Sequence, residues 1–152
     1  MKQLTTLHVL TGSFVLLALI PPFVFLGAAL VGGMDVASSL SALGEQYVAD
    51  RVSLFMVTIL GMFPLVLVAA LLGIRRLVRK TWDGSLIYAW AGIIPVLLVS
   101  VFSNLEYWPR FLPNRQFLGF PHGLEFTIGP LIFAPIGMVF TFLIVFAIRR
   151  QS

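Results

Sequence analysis

A histidine and a glutamate stand three residues apart late in this chain, His122 and Glu125 in the stretch GFPHGLEFTIGP. On a helix that spacing puts both side chains on one face. Such a pair can share a proton or give two ligands to one metal ion. Asn104, Glu106, Arg110, Asn114 and Arg115 precede it and complete one polar constellation. As an active site, Glu125 or Glu106 would act as acid or base, His122 as proton carrier and Arg110 as anion holder. These four residues are the catalytic candidates. His122 and Glu125 are the metal candidates, with Glu106 as the nearest third ligand. A structural reading competes with this one. A glutamate in a first helical turn stabilises the positive helix end. Arg110 or Arg115 can pair with Glu106 or Glu125, which leaves a satisfied network and no chemistry. The structural reading is preferred, and His122 is the residue it leaves unexplained.

The elements that must position this set are membrane spans. The 152 residues are 59% hydrophobic and 11% charged, with mean hydropathy +1.02. Soluble domains carry about a quarter charged residues, so a water-soluble fold is excluded. Four long intervals free of Asp, Glu, Lys and Arg, residues 3–34, 52–74, 84–105 and 126–148, each exceed the roughly 20 residues that cross a bilayer. Backbone amides cannot stay unpaired in lipid, and the spans lack the alternation of barrel strands. The expected fold is therefore all-α: a polytopic four-transmembrane-helix bundle forming a single domain. Its helices are expected near 8–31, 53–74, 86–105 and 125–148. Loops 34–52 and 106–124 lie outside, and loop 75–85 lies inside.

Orientation follows from the basic residues. Lys2, Arg75, Arg76, Arg79, Lys80, Arg149 and Arg150 fall on one side, and only Arg51, Arg110 and Arg115 on the other. The positive-inside rule makes both termini cytoplasmic, in a multi-pass protein of the cytoplasmic (inner) membrane. Trp82, Tyr88 and Trp90 would form the inner aromatic belt, and Tyr47, Tyr107 and Trp108 the outer one. A cleaved signal peptide is the competing reading of the first span. A lone Lys2 and an apolar run longer than roughly 7–15 residues argue against it. In the first outer loop Val36, Leu40, Leu43 and Tyr47 recur at helical spacing. They suit a short interfacial helix with Asp35 near its N-cap. The second outer loop carries Pro109, Pro113 and Pro121, which forbid a long helix.

Several function classes drop out. Without cysteine there is no disulfide, thiolate metal site or cysteine nucleophile. The middle of every span lacks the ionisable residue that proton-coupled pumps keep inside the bilayer. His8 and His122 fall at opposite ends of spans about 30 Å long, which argues against their ligating one haem within this chain and leaves open a haem shared with a partner chain. The cofactor is left unknown by the sequence. The net charge of +4 reflects topology, not nucleic acid. The expected partners are the bilayer, anionic headgroups at Arg75, Arg76, Arg79 and Lys80, and other membrane subunits or further copies of the chain. Ala28/Gly32, Ala29/Gly33 and Ala69/Gly73 supply the four-residue small spacing that lets helices approach closely. Every span carries proline, which can bend it and free carbonyls. The tripeptide Ile-Arg-Arg ends both even-numbered spans, at 74–76 and 148–150. The leading reading is a non-catalytic accessory or assembly subunit of a membrane complex. An oligomeric small-solute transporter or channel is the first alternative, and a membrane enzyme with an outer-face His/Glu site the second.

Overall fold

The computed structural model describes residues 2–49, 51–80, 85–108 and 128–151, and helices account for nearly all of them. The order is α1 (Lys2–Val31), α2 (Val36–Ala49), α3 (Arg51–Arg79), α4 (Ser85–Tyr107), a π-helical turn (Gly129–Phe133) and α5 (Ala134–Gln151). Four segments are long and apolar enough to cross a membrane: Thr5–Val31, Val57–Val78, Leu86–Tyr107 and Gly129–Arg150. The protein is an all-α, multi-pass membrane protein built on four spanning helices.

Helix boundaries differ from the hydropathic estimate wherever polar residues continue a helix past the lipid. α1 begins at Lys2, not near His8. α3 runs on to Arg79, so Arg75, Arg76 and Arg79 are helical and are not part of an inner loop starting at 75. The helix stops at Lys80, whose φ of 52° is left-handed and whose N–H donates to the Arg76 carbonyl at 2.8 Å. The segment 34–52, expected as a loop, is mostly helix, because α2 fills it. Residues 81–84 and 109–127 lie outside the described residues.

α4 is the central helix. It packs against α1, α3, the π turn and α5, whereas α5 packs chiefly on α4. A single stripe of α1 is buried: Thr6, Leu10, Ser13, Leu17, Pro21, Phe25 and Ala29, at three- and four-residue steps. Leu10 and Leu17 meet Leu65, Val68 and Leu72 of α3, Ala89, Ile93 and Val96 of α4, and Ala134 and Met138. A second cluster closes the α2 end of the bundle around Phe25, Ala29, Val57, Tyr107 and Trp108, with Ala42 and Leu43 of α2 packed on it.

The corner that folds α2 onto that end is written into Gly32-Gly33-Met34-Asp35. Gly33 takes φ 92°, a conformation most residues avoid. Its N–H donates to the Leu30 carbonyl at 3.0 Å, and the Met34 N–H donates to Ala29 at 3.1 Å. This is the paired bonding of a Schellman helix end. Asp35 then caps α2. The Ser38 N–H donates to its Oδ1 at 3.0 Å, and the Ser38 hydroxyl donates to Oδ2 at 2.6 Å. The expected apolar stripe of α2 is divided: Leu43 packs inward while Val36 and Leu40 are exposed. Ser39 and Ala42 share the inward side, and the side chain of Tyr47 lies outside the described residues.

Prolines do not break the first three spans. α1, α3 and α4 run through Pro21, Pro22, Pro64 and Pro95 without interruption. Only the fourth departs from α geometry. There the Ala134 N–H donates to the Gly129 carbonyl, five residues back. Pro130 and Pro135 both lack an N–H, and the wider turn fits around them.

Candidate functional site

Of the sequence constellation, Asn104 and Glu106 fall among the described residues. Asn104 is 2% exposed and points into the bundle, whereas Glu106 is half-buried. Two residues apart on a helix, they face different ways. Arg110, Asn114, Arg115, His122 and Glu125 lie outside the described residues. Among the described residues, no group of three or more His, Asp or Glu converges as a metal site would require.

At the C-terminal end of α4 the structure gathers a polar and aromatic seam. Asn104 Nδ2 donates to the Ser100 carbonyl at 2.8 Å, and Trp108 Nε1 donates to Asn104 Oδ1 at 2.7 Å. Ser100 and Ser103 are buried beside them. The Trp108 ring, 1% exposed, stands edge-on to Phe25 at 5.4 Å and to Tyr107 at 5.0 Å. Tyr107 and Trp108 therefore do not form an outer lipid-facing belt as expected; they are core. Trp90, 44% exposed, does face outward. Trp82 lies outside the described residues.

Three glycines let other elements close on α4. A Cβ at Gly129 would stand 2.3 Å from Ser103 Oγ, one at Gly137 would stand 2.9 Å from the Pro95 Cβ, and one at Gly92 would stand 2.6 Å from a Val68 methyl. None belongs to the small-residue pairs expected from spacing. Of those pairs, Ala29 is core, Gly33 is the helix end, and Gly73 faces open space. The Thr141 hydroxyl adds a polar tie by donating to the Ala91 carbonyl across the α4–α5 contact.

The opposite end of the bundle is basic, and here the sequence pattern concealed a convergence. The Arg75 guanidinium carbon lies over the Tyr88 ring, 4.4 Å from its centroid, and that of Arg149 stands at 5.7 Å. Each is the first arginine of one of the two Ile-Arg-Arg repeats, so both repeats meet on one tyrosine of α4. Phe142 of α5 packs against the same ring at 6.2 Å. Tyr88 is thus a shared anchor for two helix ends and does more than mark an inner belt. The available signal was the repeat itself, which positive-inside topology already explained.

Chemically, the two ends differ. The seam offers hydroxyls, a carboxamide and an indole, with the carboxamide and indole bonded along α4 itself. The basic end offers cations held in place by an aromatic face. Compared with known protein families, with curated proteins and with solved structures, the chain matches none of them. Fold and sites together define a multi-pass helical membrane protein whose function must be argued from its surfaces.

Proposed function

We propose that this protein is a non-catalytic accessory or assembly subunit of a complex in the cytoplasmic (inner) membrane, with both termini inside. The observation that carries this reading is the imbalance among the spans. In the most apolar window of Leu86–Tyr107, 44% of residues are buried, against 11% for Gly129–Arg150. The last span touches its own bundle along one narrow stripe. Phe133, Phe140 and Phe146 stand out on its remaining surface. Such large rigid side chains offer contact area to another membrane protein. Co-purification in mild detergent tests the proposal. Recovery of a defined partner or a homo-oligomer, lost on Phe140→Ala/Phe146→Ala, is expected. A strictly monomeric protein without partners overturns it.

One observation favours the transporter or channel reading. The π turn lies against Ser103, and π turns recur at functional sites. Solute flux in proteoliposomes would establish that reading, and no flux across a broad panel of solutes would remove it. For the enzyme reading, His122→Ala must abolish activity while the fold survives. A change in thermal stability alone makes the His122–Glu125 pair structural.

A further inference from the structure

An apolar groove of about 340 Å³ runs between α3 and α5. Leu67, Leu71 and Ile74 line one wall, and Pro135, Met138 and Phe142 the other. It opens outward, since Ile74, Leu71 and the neighbouring Val139 are exposed. α3 meets the π turn above the groove, and α5 leans on α4. The wall from Leu67 to Ile74 gives about 10 Å of length at 1.5 Å per residue, the reach of the upper part of one acyl chain.

The same helix faces lead to the basic cluster. Arg75 follows Leu71 by four residues, and Arg149 follows Phe142 by seven, so each arginine continues a groove wall at its basic end. Phe142 forms part of the groove and also rests on Tyr88. Tyr88 holds both guanidiniums, which therefore stand no further apart than the sum of their two distances to its ring. A guanidinium over an aromatic face keeps its N–H donors in its own plane, where they match phosphate oxygens. Like charges brought this close gain from an anion between them.

We infer that the α3–α5 groove and the Arg75–Tyr88–Arg149 cluster together form a binding site for one anionic phospholipid. Its phosphate lies between Arg75 and Arg149, and one acyl chain lies along Leu71, Met138 and Phe142. This is a stoichiometric site built by two helices. It differs from the diffuse attraction that a basic loop exerts on a charged membrane surface. It does not depend on the subunit reading above.

The test uses the full chain in nanodiscs containing equal parts phosphatidylglycerol and phosphatidylcholine. After extraction into mild detergent, retained lipid is counted by native mass spectrometry. One retained phosphatidylglycerol per chain, in preference to phosphatidylcholine, is expected. R75Q/R149Q should weaken its retention about tenfold or more, as expected when charge-assisted bonds to phosphate are lost. Arg76→Gln, one residue away but not on Tyr88, should leave it unchanged. Ala70→Phe fills the groove without touching the charges and should also displace the lipid, with a monodisperse, cooperatively melting protein as the folding control. Equal loss on Arg76→Gln overturns the site in favour of diffuse electrostatics. Unchanged retention in R75Q/R149Q overturns it outright. Thermal stabilisation by inorganic phosphate as large as that by phosphatidylglycerol would make it a simple anion site and refute the lipid assignment.

Discussion

The α2 end and the basic end of this bundle are finished in opposite ways. At the first, α2 folds back over the helix ends. Phe25, Tyr107 and Trp108 fill the space beneath, and the Asn104 carboxamide and Trp108 indole are bonded within α4. At the basic end, α3 and α5 project arginines over a single tyrosine and leave a groove between them. In a membrane both ends meet an interface, so solvent does not account for the difference. What differs is the source of the last contacts. Packed apolar and aromatic side chains supply them at the α2 end, and guanidiniums on an aromatic face supply them at the basic end.

This contrast can be broken most forcefully at Trp108. Trp108→Ala removes the largest fully buried side chain among the described residues and leaves Asn104 Oδ1 without its donor. A loss of about 3–5 kcal/mol is expected, read as thermal or denaturant unfolding in detergent. The half nearer α2 should loosen first by hydrogen exchange. A uniform loosening of both ends would show that they are not separate units.

A smaller effect is expected at Gly129→Ala, whose new methyl would collide with Ser103 Oγ. Overpacking of this kind costs about 1–3 kcal/mol. Adding Ser103→Ala should recover most of it in a double-mutant cycle. Full additivity would mean that the π turn and α4 do not touch there.

The smallest effect concerns the corner. Hydrogen bonds from the Ser38 hydroxyl and then the Ser38 N–H hold the Asp35 carboxyl below its ordinary value of 3.8. A lowered folded value contributes stability above the unfolded value and loses it as pH falls through the folded one. The protection of the Ser38 and Ser39 amides, relative to intrinsic exchange at each pH, should therefore fall only in that acid range, and Asp35→Asn should remove the dependence. Protection that stays flat with pH would show that Asp35 does not secure α2 through its charge.

Much of the fold was legible in the sequence, for a physical reason. Hydrocarbon imposes length and apolarity on any spanning helix, so four spans could be counted directly. The cap at Asp35 was equally readable, because N-capping is local chemistry. Which face of each span turns inward was not readable. Lipid and protein core are similarly apolar, so Leu17, buried, and Leu16, exposed, look alike in sequence. Trp108 was misassigned on the same grounds: aromatic belts and buried aromatics share a composition. The spacing Ser100, Ser103, Asn104 and Trp108 marks one helix face and was the better clue. The convergence of Arg75 and Arg149 on Tyr88 joins residues from three helices, and no local pattern encodes it. The candidate site around His122 was legible only as a set of residue types, and of that set the structure describes Asn104 and Glu106.

The π turn at Gly129–Phe133 has a consequence for everything that follows it in α5. A ring closed five residues back holds one residue more than an α-helical ring. Run as plain α-helix with no residue removed, the span would carry every later side chain about 100° further around the axis and about 1.5 Å further along it. Arg149 would leave Tyr88, and Thr141 would leave the Ala91 carbonyl. Deleting one residue between Leu131 and Phe133 would instead close the turn and keep both contacts. The turn therefore sets the azimuth of the last helix, fixing at one end of the bundle which residue arrives over the tyrosine at the other.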